Sequence, residues 1–321
     1  MSGDSLADQA SCQRDIPYLQ KLTTNVVSVN EVDPTKDHSG CMALLDAAGI
    51  YVLVDLSNPA TGMGINGSIP VWDVMVYESF TSVIDSMQNY SNVLGFFVGN
   101  GVITDVANSI SSAYVKAAVR DMKSYIQAQA YRSMGIGYAS DYDASIISDL
   151  EAYLNCGDRA SSIDFLGLNV FSWCGDSSYA ESGYSVLTAS LSNYSVPVFF
   201  SQYGCNIEGG GAAGRQFTEV AALYGPQMAV VFSGGIVYEY NEYANDYGKT
   251  VILPLSTVTA NSPRNRSRLS FRQCRLNSSG LQRLLHTNGC SFPVIHCIQC
   301  LHSFQYSCCI MSYDRFYLAG I

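Results

Sequence analysis

Positive charge is scarce in this 321-residue chain, which has 17 Lys and Arg against 27 Asp and Glu. The shortage is sharpest in residues 1–256, where ten cations face 26 acids. Phosphate contacts depend on Lys and Arg, so the balance argues against nucleic acid as a partner. Long hydrophobic runs are lacking too: no stretch reaches the about 18 apolar residues that cross a bilayer. Met1-Ser2-Gly3-Asp4-Ser5 has neither the basic start nor the apolar stretch of a secretion signal. Taken literally, such a start leaves the protein in the cytosol. The expectation is instead that an N-terminal segment is missing from this sequence.

Hydrophobic residues make up 48% of the chain and aromatics 12%, enough for a substantial globular core. The composition changes abruptly near Leu255. Residues 257–321 hold seven Arg, no Lys and a single acid, Asp314. Six of the 11 cysteines fall there, leaving Cys12, Cys41, Cys156, Cys174 and Cys205 in the body. The reading is therefore a domain over 1–255 and an irregular, Arg- and Cys-rich tail over 256–321. Cys297-Ile298-Gln299-Cys300, with His296, His302, Cys308 and Cys309 nearby, has some donors of a zinc site. No second Cys-x-x-Cys at finger spacing supports it, so no metal is assigned. Sequons at Asn66, Asn89 and Asn193 in the body, and at Asn265 and Asn277 in the tail, are compatible with a secreted glycoprotein.

Within the body, short β-branched and aromatic runs alternate with longer helical patterns, as in βα units around a parallel sheet. The pattern predicts strands over 25–30, 50–56, 93–100, 133–140, 164–171, 197–204 and 234–240. Helices are expected over 12–22, 36–48, 72–89, 109–130, 144–155, 179–193 and 216–224. The fold class is α/β, a (β/α)8 TIM barrel with seven recognisable strands. A closed barrel needs eight, so the first strand is expected to be missing.

Two strand ends read Phe97-Val98-Gly99-Asn100-Gly101 and Phe200-Ser201-Gln202-Tyr203-Gly204. Each looks like a glycosidase carboxylate motif without its carboxylate. Longer runs carry a more specific resemblance. They include Ala10-Ser11-Cys12-Gln13-Arg14-Asp15-Ile16-Pro17-Tyr18-Leu19, Tyr90-Ser91-Asn92-Val93-Leu94-Gly95-Phe96-Phe97 and Trp173-Cys174-Gly175-Asp176-Ser177-Ser178. Pro197-Val198-Phe199-Phe200-Ser201 and Tyr243-Ala244-Asn245-Asp246-Tyr247-Gly248 belong to the same set. Cys12–Gly248 resembles the catalytic domain of fungal glycoside hydrolase family 72, the β-1,3-glucanosyltransferases of the cell wall.

That resemblance implies a (β/α)8 barrel acting on β-1,3-glucan without a cofactor. It also implies a cell-surface or cell-wall location, reached by secretion and a lipid (GPI) anchor, although neither signal is visible here. A family enzyme cleaves a glucan, keeps part of it as a covalent glycosyl-enzyme and passes it to another chain. The resemblance puts the acid/base glutamate at Gly101 and the nucleophile at Gln202. Glycine has no side chain and an amide cannot supply anionic attack, so this copy is expected to be catalytically impaired or inactive. Asp55, Asn100, Tyr138, Phe171, Trp173, Tyr203, Tyr238 and Tyr240 are carried over as glucan-binding residues. Departures from the family pattern include Val27-Ser28-Val29-Asn30, where an arginine and a tyrosine are absent, and Phe171, where a hydroxyl is lost.

Cys12 and Cys41 stand where the family pairs cysteines, and a bridge between Cys174 and Cys205 fits loops after neighbouring strands. The family partner of Cys156 would lie in a region that the tail replaces. Asp141 and Asp143 follow a strand and are read as a turn in preference to ligand contacts, and Glu31 is a remote substitute for a lost carboxylate. Tyr238 and Tyr240 share a strand face, which could be the barrel interior or the helix layer. Two alternatives to an impaired transferase stay open: a non-catalytic β-glucan-binding protein, or the product of a decayed or wrongly delimited gene.

Overall fold

The structure, a computed structural model, describes residues 3–206, 215–241, 245 and 247–248, and the backbone of 310–313. Helices and strands alternate as α1 (Gln9–Lys21), β1 (Val26–Val29), α2 (Ser39–Ala47), β2 (Tyr51–Asp55), α3 (Val74–Met87), β3 (Val93–Asn100) and α4 (Ser111–Ala128). They continue as β4 (Gly135–Asp141), α5 (Ile147–Asn155), β5 (Leu166–Val170), α6 (Tyr184–Ser190), β6 (Val198–Tyr203), α7 (Val220–Leu223) and β7 (Phe232–Val237). All seven expected strands and all seven expected helices overlap an observed one. The seven strands pair in parallel in chain order.

An eighth strand, β8 (Ile310–Tyr313), pairs in parallel with both β1 and β7, and the ring is a closed barrel. The sequence pattern predicts seven strands and no regular element after 255, and here the structure differs. Four residues are too few to show alternation. What places them is the pair of open parallel edges on β1 and β7, whose backbone groups otherwise lack partners. The Cys297–Cys300 motif and its neighbouring histidines lie outside the described residues.

Local chemistry accounts for the helices. Asp8 caps α1 by accepting from the Ser11 amide at 3.1 Å, and Asp73 caps α3 through the Val76 amide at 3.1 Å. Val115, Ala118, Val119, Met122 and Ile126 recur at three- and four-residue spacing on α4 and are buried against the barrel. The strands are nearly continuous runs of buried residues, as a parallel sheet covered by helices requires. Inside the barrel, the rings of Phe97, Phe165 and Phe199 pack at centroid distances of 5.2–6.2 Å. Gly137 makes that cluster possible, because a Cβ there would stand 2.3 Å from the Phe165 ring.

Polar ties join the layers. Asp164 accepts from the Ile136 amide at 2.9 Å and from Lys123 Nζ at 2.8 Å, fastening α4 across β4 to the start of β5. At the N-terminal end, buried Asp4 meets His38 Nε2 at 2.6 Å and accepts from the Asp33 amide at 2.8 Å. Both expected disulfides are present. Cys12–Cys41 links α1 to α2, and Cys174–Cys205 links the loops after β5 and β6. Cys156 is exposed and is the free cysteine among the described residues.

Candidate functional site

Because every strand runs the same way, the C-terminal ends of β2 to β6 open on one face, where barrel sites form. Each of these five strand ends carries a polar side chain in an otherwise apolar wall. Asn100 at the end of β3 donates to Asp55 Oδ2 on β2 at 3.2 Å. Asn169 on β5 donates through Nδ2 to both Asn100 Oδ1 and Asp141 Oδ1, each at 2.8 Å. Ser201 on β6 donates to Asn169 Oδ1 at 2.9 Å. Asn169 thus uses both amide hydrogens and its oxygen to tie four strands together, and the Asn100–Asp55 bond adds β2 as a fifth. Asp55, Asn169 and Ser201 are buried, while Asn100 and Asp141 are half-buried and reach the mouth.

Gly101 follows Asn100 with φ +62°, its amide donating to the Ala139 carbonyl at 2.9 Å. Gln202, half-buried on β6, stands in register with Asn169. The two positions assigned from the motifs therefore flank the network, on β3 and β6.

The aromatic candidates divide. Phe171 and Tyr238 are half-buried and pack edge-on at 5.9 Å. Tyr247 completes a triad with them at 5.5 and 5.2 Å. Arg215 ties two of these residues together, donating to the carbonyls of Tyr238, at 2.7 Å, and Tyr247. Burial draws the Arg215 pKa down from its ordinary value, with Glu219 opposing that effect.

The other four are enclosed, contrary to the expectation that they line a groove. Tyr138 is wholly buried, its hydroxyl accepting from the Ile103 amide at 2.9 Å, and burial raises its pKa. Tyr203 is also wholly buried, against Phe200. Trp173 packs against Tyr184 at a tilt of 54° and donates to Thr218 Oγ1 at 2.9 Å. Tyr240 is buried and donates to Asp15 Oδ1 on α1 at 2.9 Å. Since β7 ends at Val237, the strand alternation behind a shared face for Tyr238 and Tyr240 stops before either residue. All four are buried in this structure, and Trp173 also lines a small pocket with Arg215 and Phe217.

Sequence reasoning does not single out Asn169 and Tyr247 as site residues, and it leaves Asp141 as a turn. A signal exists for Asn169: it is the lone polar side chain in the buried strand Leu166–Val170. Asp141 ends β4 as the sole charged residue of that strand.

The structure is thus a closed (β/α)8-type barrel with acidic and amide groups gathered at its C-terminal face, where the sites of barrel enzymes form. The family follows from comparison: residues 1–264 match the glycoside hydrolase family 72 description, Glucanosyltransferase. The chain belongs to this glucanosyltransferase family. It is 54% identical over 245 residues to a 1,3-beta-glucanosyltransferase of Arthroderma benhamiae, covering 76% of this chain and 44% of that protein. Identity to 1,3-beta-glucanosyltransferase GAS2 of Saccharomyces cerevisiae is 46% over 245 residues, covering 76% of this chain and 43% of that one. Among solved structures, Saccharomyces cerevisiae Gas2p in complex with laminaritriose and laminaritetraose matches with a TM-score of 0.73 and 46% identity. That match covers 77% of this chain and 55% of the other. The chain spans less than half the length of these two curated relatives.

Proposed function

We propose that this protein binds β-1,3-glucan at the C-terminal mouth of its barrel, at the fungal cell wall, and is impaired in glucan transfer. The observation that carries the reading is the pairing of a polar network with two strand-end positions that hold Gly101 and Gln202. Amides and carboxylates on Asn100, Asp55 and Asp141 suit sugar hydroxyls. The Phe171–Tyr238–Tyr247 triad offers ring surface for the apolar face of a glucose unit. The solved complexes of the relative Gas2p contain laminari-oligosaccharides, which supports the same ligand class here.

Retaining transfer needs one carboxyl group to attack the anomeric carbon and another to move the proton. With glutamine at 202, the covalent intermediate cannot form by carboxylate attack. Binding is independent of that loss. Titration of the full chain with laminaripentaose by calorimetry, with cellopentaose as control, tests the reading. Saturable heat with the laminari-oligosaccharide alone is expected. No heat from a folded protein would remove glucan as the ligand.

A further inference from the structure

Gly101 leaves a space, and another side chain fills it. A Cβ built at Gly101 would lie 3.0 Å from Asp141 Oδ2 and 3.3 Å from Asp141 Oδ1. The Asp141 carboxylate therefore stands against the point where a side chain at 101 would begin. Its Oδ1 is held by Asn169 Nδ2 at 2.8 Å, which fixes the plane of the group. Its Oδ2, the atom nearer the Gly101 position, has no hydrogen-bond partner among the described residues. Asp141 is half-buried, between the network and the open mouth. Gly101 also has φ +62°, a left-handed conformation that resists any L side chain. The local backbone thus suits the glycine, and the Asp141 carboxylate lies directly beside it.

We infer that Asp141 is the proton-transfer carboxylate of this site, so that Gln202 alone blocks turnover. The inference rests on the glucan reading above. In a chain carrying Gln202→Glu, the new carboxylate would attack the anomeric carbon while the glycosidic C–O bond breaks. The bonding pair goes to the leaving oxygen, which takes the Asp141 proton. In the second half, the acceptor hydroxyl oxygen attacks the anomeric carbon and gives its proton to the Asp141 carboxylate. The ester bond breaks and returns its electron pair to residue 202.

Three full-length variants test this: Gln202→Glu, Gln202→Glu with Asp141→Asn, and Gln202→Glu with Gly101→Glu. Each is given laminaripentaose, with products sized by mass spectrometry, and separately laminaribiosyl fluoride, whose leaving group departs without a proton. Gln202→Glu alone is expected to make longer oligosaccharides. Adding Asp141→Asn should lower its kcat on the pentaose by about 10²–10⁴-fold. First-turnover fluoride release should stay within a few fold, showing an intact fold and nucleophile. Unchanged pentaose turnover in the Asp141→Asn variant would overturn the inference. So would a silent Gln202→Glu chain beside an active Gln202→Glu, Gly101→Glu chain, an outcome that leaves the glucan reading standing. If all three stay folded yet release neither fluoride nor products, the assignment of residue 202 falls and this inference falls with it.

Discussion

Asn169 is the residue on which the mouth depends. Its amide gives two hydrogen bonds and accepts one, joining β3, β4 and β6 through a single side chain on β5. Asn169→Ala would leave Asn100 Oδ1, Asp141 Oδ1 and the Ser201 hydroxyl without that partner. A buried polar group stripped of its bond costs about 1–3 kcal/mol. Urea unfolding should show a loss of that size, together with loss of laminaripentaose binding. Glu151, on α5, behaves differently. It is 5% exposed, and burial pushes its pKa from 4.5 up to about 7. Between those values the folded chain holds more protons than the unfolded one. Its contribution is fully present below pH 4.5 and is lost as pH rises through about 7. Glu151→Gln should remove this slope, at most about 1.4 kcal/mol per pH unit. Unfolding midpoints at pH 4.5 and pH 8 check it: the variant should gain on the parent at the higher pH.

Among elements, the strands and helices were legible because hydrophobic period separates buried parallel strands from amphipathic helices. Val93–Asn100 was readable to the residue, since an apolar run ends there in Gly-Asn-Gly. Which way an aromatic points was less readable. Tyr138, Tyr203, Trp173 and Tyr240 sit near strand ends like Phe171 and Tyr238, and only tertiary packing shows that their rings are enclosed. The network was legible in part. Asp55 and Asn100 stood at obvious strand ends, whereas Asn169 and Asp141 mattered through partners on neighbouring strands, which spacing along one chain does not reveal. The loops have their own constraint. The Cys174–Cys205 bridge closes a separation of 31 residues and fixes the loop after β5 against that after β6. Replacing both cysteines by serine should lower stability by about 2–4 kcal/mol, read from denaturant unfolding under oxidising conditions.

Over the whole molecule, closure of the ring joins the first strand to the last. β8 pairs with β1 through Val26–Val29 and with β7 through Ile236 and Val237. A chain ending at residue 305 would expose both edges. It should melt at lower temperature than the full chain, with faster amide exchange at Val27 and Val29; unchanged exchange there would show that β8 does not protect β1. Under the proposed function, the scaffold keeps its ligand face while transfer is lost. The barrel positions Asp55, Asn100, Asp141 and Asn169 through parallel strand pairing and the hydrogen bonds of the network. The product-length distribution after incubating the unaltered chain with laminaripentaose tests this most directly. The account predicts that a folded, glucan-bound protein returns the pentaose unchanged. Oligosaccharides longer than five units would contradict it.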